Sequence, residues 1–261
     1  MTQPTLRPPA LAGLFYPAAP EPLARTAAGL LARADAAGPP ARHLIVPHAG
    51  WVYSGEVAAA AYRRIPQGVR RVLLLGPVHR VWTPGMAVPS VDAFETPLGD
   101  IPLDRDALAA LARLPGVVVD DRPHRDEHAI EVHLPFLQVA LGEFTLIPVL
   151  VGGAPATAVA DVIAACDDGQ TLVLVSSDLS HFHDYATAKR LDARTAQRIV
   201  ALESDLTGEE ACGAAAINGL DLYARSRRLA AELLDLRNSG DTAGPRDRVV
   251  GYGSFALRQA A

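Results

Sequence analysis

The sequence predicts an α/β fold, a three-layer αβα sandwich around a central mostly parallel or mixed sheet, and three observations carry that reading. Runs rich in Val, Leu and Ile at residues 43–47, 71–77, 145–151, 171–177 and 249–257 are apolar almost without interruption. A strand reads that way when helices cover both faces of its sheet. Stretches with an apolar period near that of a helix lie at residues 21–36, 55–65, 105–113, 130–141, 157–166, 185–202 and 221–235. The two kinds of segment alternate, which is the pattern of strands joined by covering helices. Pro135 interrupts the fourth helical stretch, so a kink or a later start is expected there. Residues 82–102 carry several prolines and no period, and are expected to form an irregular excursion or an antiparallel edge that walls the site.

Composition narrows the class of function. The chain has 261 residues, 49% of them hydrophobic and 20% charged, enough apolar surface for a full core and no reason to split it. A single domain over residues 1–261 is expected, without repeats or linkers. The formal charge of −5 is spread without a basic block, so neither nucleic acid nor an anionic membrane is an expected partner. A small molecule or a protein is. Lys189 is the sole lysine among Arg-dominated basic residues and carries no functional weight. Cys166 and Cys212 stand far apart, outside any paired motif, and are expected to fill core space. The amino-terminal residues lack the pattern of a secretory signal and no apolar run reaches bilayer-spanning length, so a cytoplasmic location is expected.

Chemistry gathers behind three predicted strands. His48 follows the strand ending at Pro47, His79 the strand ending at Pro77, and Asp178 with His181 the strand ending at Ser177. In open α/β sheets ligands bind just beyond the carboxyl ends of strands, where loops converge on a rigid base. His48 lies in Pro47-His48-Ala49-Gly50-Trp51-Val52-Tyr53-Ser54-Gly55, where glycines permit tight turns and Trp51 and Tyr53 offer pocket walls. Two neutral imidazoles from neighbouring strand ends make half of a divalent metal site. In Asp178-Leu179-Ser180-His181-Phe182-His183 the polar residues could cap a helix. The stronger reading makes His181 a general base or further ligand and Asp178 its orienting partner, with His183 structural.

Within residues 126–133, Glu127 and His128 are candidate pocket residues, while Glu131 and His133 read as structural. The order His-x-x-Glu-x-His there is not that of a zinc protease, nor of a di-iron site. Gly251-Tyr252-Gly253-Ser254-Phe255-Ala256 has the spacing of a dinucleotide-binding turn but sits inside a predicted strand with no helix after it. Neither a nucleophile elbow nor a phosphate-binding loop occurs in the sequence.

Arg7-Pro8, Ala12-Gly13-Leu14-Phe15-Tyr16-Pro17, Pro47-His48-Ala49-Gly50 with Tyr53-Ser54-Gly55, Gly76-Pro77 with His79, Glu127-His128 and Ser176-Ser177-Asp178-Leu179-Ser180-His181 together resemble the Memo family. Its bacterial members are called AmmeMemoRadiSam system protein B, and the resemblance runs from residue 7 to residue 257. It implies a fold similar to class III extradiol dioxygenases, with a mononuclear non-haem iron site. Residue by residue, His48 and His79 match the metal-site histidines and His181 the general base. The third ligand is implied within Asn238-Ser239-Gly240-Asp241, with Asp241 where animal Memo proteins carry a cysteine. Two histidines and Asp241 would make the facial set of non-haem iron(II) enzymes. The resemblance thus implies one divalent metal per chain, iron(II) first and zinc or copper as alternatives. A catechol-like or otherwise chelating substrate would lose a proton to His181, with Asp178 holding the imidazole. The family name implies an AMMECR-type protein and a radical SAM protein as partners. Two other readings stand beside the dioxygenase: a non-catalytic metal-binding or protein-interaction module, and a zinc-dependent hydrolase.

Overall fold

Four parallel, almost wholly buried strands form the base on which the site is built. The computed structural model describes residues 4–35 and 37–259. In chain order its elements are β1 (Leu6–Arg7), α1 (Pro20–Arg33), β2 (His43–Val46), α2 (Trp51–Tyr62), β3 (Arg71–Pro77), β4 (Met86–Val88), β5 (Ala93–Thr96), β6 (Gly99–Pro102), α3 (Arg105–Leu111) and β7 (Val117–Val119). The second half holds α4 (Arg122–Arg125), α5 (His128–Glu131), α6 (Leu134–Leu141), β8 (Thr145–Val151), α7 (Ala156–Cys166), β9 (Leu172–Ser176), β10 (His181–His183), α8 (Tyr185–Val200), α9 (Ala214–Arg227), β11 (Leu229–Asn238) and β12 (Val249–Gln259).

Among the described residues the large sheet runs β10-β12-β2-β9-β3-β8-β4-β7, with β11 paired to the other edge of β12. β2, β9, β3 and β8 are mutually parallel, and β12 and β4 flank them antiparallel, so the sheet is mixed. A small second sheet joins β1, β5 and β6. Helices α1, α2, α5 and α6 pack as one group over the strands, and α7 with α3 and α9 as another. This is the sandwich the apolar strands demand, because Leu44, Ile45, Leu73, Leu74, Leu174 and Val175 are shut off from solvent. No described helix is long and apolar enough to cross a membrane.

Several boundaries differ from expectation for identifiable reasons. The helix expected at 55–65 begins at Trp51, directly after Gly50, because Trp51 packs inward against Tyr16 and Phe136. At Pro135 the later start expected is met: the stretch 130–141 is broken into α5 and α6, and Pro135 sits in the first turn of α6, where its missing N–H costs nothing. Residues 82–102 take the antiparallel alternative expected of them, with β4 antiparallel to β8 and β5 and β6 forming an antiparallel hairpin in the second sheet. The helix expected at 221–235 lies earlier, over Ala214–Arg227, and ends at Arg228 in the left-handed conformation, φ 56°. The rest of that stretch is the edge strand β11. The first helix stops at Arg33, and residue 36, where it was expected to end, lies outside the described residues. Gly251 and Gly253 sit inside β12, in keeping with the rejection of a dinucleotide turn.

Candidate metal centre

β9 lies between β2 and β3, so three carboxyl ends stand side by side. Val46 of β2 is in register with Ser176, and Leu75 of β3 with Val175, which puts His48 and His79 in loops on either side of the end of β9. The third imidazole comes from a helix start. Glu127 caps α5 by accepting from the backbone N–H of His128 and Ala129, and the helix is thereby set with His128 at its first position. Gly76 permits the approach, since a Cβ there would lie 3.1 Å from Ala129 Cβ and 3.2 Å from Ile130 Cδ1. Gly213 does the same on the other side, where a Cβ would fall 2.5 Å from the Ser176 carbonyl oxygen.

One ligand atom from each of His48, His79 and His128 lies within 4.8 Å of the other two. The His79 and His128 rings are stacked, 4.4 Å between centroids, and His48 meets both edge-on at 5.2 and 5.1 Å. Burial is the main reason that His48 titrates well below an ordinary histidine, and the neighbouring His128 and His79 add to it. His48 is therefore a neutral donor at physiological pH. Glu127 holds His79 twice, accepting from its backbone N–H at 2.6 Å and lying 2.8 Å from its Nδ1. The same carboxylate oxygen lies 3.1 Å from His128 Nδ1. Burial alone would raise the Glu127 carboxyl, but hydrogen bonds from His128 and His79 outweigh it and hold the group well below the usual carboxylate range. With its Nδ1 taken by Glu127, the His79 ring keeps Nε2 as its free nitrogen for a ligand. Three nitrogen donors, one of them held neutral, fit a divalent ion of borderline softness.

Under the cluster lies a buried polar layer. Ser176 Oγ is 2.6 Å from His48 Nδ1, 2.8 Å from His133 Nε2 and 2.6 Å from the Ala129 carbonyl oxygen. Tyr62 OH is 2.6 Å from His133 Nδ1. Asp178 accepts the His48 backbone N–H at 2.8 Å, and burial raises its carboxyl pKa against the opposing influence of that bond and of His181. Cys212, read from sequence as core filling, instead places Sγ 3.4 Å from His48 Nε2, its thiol pushed up to about 12 mainly by burial.

Of the residues proposed from sequence, His48, His79 and His128 come together, with Glu127 and Asp178 directly behind them. Asp241 does not join them. Its carboxylate receives Tyr185 OH and the Asn238 backbone N–H in a tight 3-10 turn, so the third donor of the observed cluster is His128. His181 is half-buried in β10, opposite Val250, within electrostatic range of Asp178. The next residue, Phe182, has φ 66° and carries the Arg248 guanidinium 4.3 Å over its ring. Trp51 is a core residue whose indole N–H donates to the Val132 carbonyl. With Tyr53 and Asp241 it lines a separate groove of about 830 Å³ between α1 and α2, among whose lining residues the three histidines do not occur. Phe15 of that groove packs edge-on against His128 at 5.1 Å. A smaller cavity of about 210 Å³, lined by Pro77, Val78, Trp82, Cys212 and Gly213 among others, lies on the Cys212 side. Glu131 proves structural, as expected, gathering Arg7, Tyr16 OH and the backbone N–H groups of Ala10 and Leu11. Ser176 and Cys212 were the residues hardest to find, because a serine at a strand end and an isolated cysteine carry no spacing signal.

Comparison with known proteins identifies the family. The family model described as Memo-like protein matches residues 7–256. A MEMO1 family protein of Thermoplasma volcanium is 32% identical, over 97% of this chain and 99% of that protein. A MEMO1 family protein of Methanopyrus kandleri is also 32% identical with the same coverage, and one of Aquifex aeolicus is 31% identical over 95% of this chain and 97% of its own. The crystal structure of an uncharacterized Escherichia coli K12 protein shares the fold at a TM-score of 0.50 and 12% identity, covering 82% of this chain and 98% of that one. Matched almost end to end by the family model and by relatives at about a third identity, the chain belongs to the Memo family.

Proposed function

We propose that this protein is a mononuclear metal-dependent enzyme of the dioxygenase type, acting on a small catechol-like or otherwise chelating molecule. The observation that carries the reading is the meeting of His48, His79 and His128 at the carboxyl ends of β2 and β3, with ligand atoms within 4.8 Å of one another. A divalent ion held by these three histidines would supply a Lewis-acid centre for a chelating substrate and, as iron(II), the redox chemistry of ring oxygenation. The chain's own residues do the rest. Glu127 offsets the positive charge and keeps His79 aimed. Asp178 fixes the backbone that bears His48 and influences His181, which removes the proton from a substrate hydroxyl as it binds. A 210 Å³ cavity lies beside Cys212, whose Sγ is 3.4 Å from His48 Nε2, and a small ring entering from that side would pass Cys212 to reach the cluster, whose histidines do not themselves line the cavity.

A second reading follows from the donor set itself. Three imidazoles without a carboxylate match the open, three-histidine arrangement of catalytic zinc, so a hydrolase of the same site is the competing enzyme. Metal analysis after anaerobic purification, followed by oxygen-uptake and ester-hydrolysis assays, separates them. Iron near one per chain with uptake on a catechol supports the first, and zinc with hydrolysis supports the second. Stoichiometric metal with neither activity across a broad panel overturns both in favour of a binding module. An AMMECR-type and a radical SAM protein remain proposed partners, tested by co-purification from the native host.

A further inference from the structure

The polar layer beneath the cluster can be solved as a proton count. Ser176 Oγ has one hydrogen to give and can accept two. Its three neighbours are the Ala129 carbonyl oxygen, His48 Nδ1 and His133 Nε2, at 2.6, 2.6 and 2.8 Å. The carbonyl can only accept, and two oxygens at that separation repel unless a proton lies between them. The hydroxyl hydrogen therefore points to Ala129. Both imidazole nitrogens must then donate to Oγ, so His48 carries its proton on Nδ1 and His133 carries one on Nε2. His133 Nδ1 is left as an acceptor, and Tyr62 OH, 2.6 Å away, donates to it. Every donor in the chain has one acceptor and no group is left over, in a region where all four side chains are buried.

We propose that Ser176, backed by His133 and Tyr62, is the positioning residue of the metal site, locking His48 in the tautomer that presents Nε2 to the ion. The proposal rests on the metal reading of the site but not on any particular activity. Ser176 has a second grip on the cluster. Its bond to the Ala129 carbonyl ties the end of β9 to α5, whose first residue is His128. One hydroxyl thus sets the proton of one ligand and the backbone of another. An Ala at this position would orphan two N–H groups at once, and His48 could then rotate or carry its proton on Nε2, which removes the donor lone pair.

Two measurements decide the matter. In metal-free wild-type protein labelled with ¹⁵N-histidine, long-range ¹H–¹⁵N correlations are expected to show His48 wholly in the Nδ1–H form; an Nε2–H form or a mixture overturns the proposal without any variant being made. Zinc(II) affinity by competition with a chromophoric chelator is expected to fall about 10–100-fold in Ser176→Ala, the loss typical of removing an outer partner of a ligating histidine. Ser176→Thr, which keeps the hydroxyl on a strand that favours branched side chains, is expected to recover most of it. Unchanged affinity in Ser176→Ala overturns the proposal. If wild-type protein binds no zinc or iron at all, the metal reading fails, while the tautomer spectrum still reports on the hydrogen-bond chain.

Discussion

Replacing Glu127 by Gln is the most economical test of how the site is held. The substitution conserves shape, yet both carboxylate oxygens are acceptors. One takes the N–H groups of His128 and Ala129 at 3.0 and 3.1 Å and lies 2.8 Å from His79 Nδ1; the other takes the His79 backbone N–H at 2.6 Å. A Gln can satisfy one side only. Its NH2 then confronts either the His79 backbone N–H or the α5 cap, a donor against a donor in a residue 1% exposed. One buried donor left unpaired costs about 1–3 kcal/mol, so Glu127→Gln should lose about that much stability. Glu127→Ala, which also removes the cap and uncovers every donor, should lose about 3–5 kcal/mol. Loss of the anion behind His79 should weaken zinc binding by about 10–100-fold in both. Urea unfolding monitored by tryptophan fluorescence gives the first quantity and chelator competition the second. A Glu127→Gln protein with wild-type midpoint and wild-type zinc affinity would refute the claim that this carboxylate organises the site.

Three further outcomes are expected. Asp241→Ala should leave zinc affinity within about twofold of wild type, because the carboxylate caps its own turn, and should cost roughly 1 kcal/mol in unfolding; a collapse in metal occupancy would restore Asp241 as a ligand. Gly76→Val should weaken zinc binding more than Gly76→Ala, since a Cβ already meets Ala129 and Ile130 at 3.1 and 3.2 Å and each added carbon pushes α5 outward; equal affinities for all three proteins would disprove that tight approach. Asp221 of α9 is buried with neither oxygen partnered among the described residues, and burial raises its pKa from 3.8 to about 8. The folded chain therefore keeps this proton where the unfolded chain has lost it, so stability falls as pH rises from about 4 to about 8. By pH 8 the loss is on the order of 5 kcal/mol. Asp221→Asn should flatten that slope and exceed wild type in thermal midpoint at pH 8, and parallel pH profiles for the two proteins would refute it.

The parallel strands were legible because burial on both faces leaves its mark as unbroken Val, Leu and Ile, and His48 and His79 were legible because they follow those strands directly. β11 was misread for a physical reason. The stretch 221–235 joins the last turns of α9, helical to Arg227, to the first residues of β11 from Leu229, and the register shift between Leu233 and Asp235 breaks the alternation by which a strand is read. His128 was seen only as a pocket candidate because it stands at the start of a four-residue helix, where the rule about strand ends does not apply. Asp241 was favoured by resemblance, and no local feature of residues 238–241 could show that Tyr185, far away in sequence, would occupy its carboxylate. The role of Ser176 depends on three contacts from different parts of the chain, which only folding brings together.

The order of strands also fixes when the site can exist during synthesis. All three imidazoles have been made by residue 128, but the strand that separates β2 from β3 and carries Ser176 is β9, beginning at Leu172. A ribosome that has extruded only the first 170 residues has therefore released all three histidines of the cluster and not the wedge that spaces them. If the cluster holds a metal as proposed, the native site would be complete only after β9, and an ion captured earlier would meet the three histidines in some other arrangement.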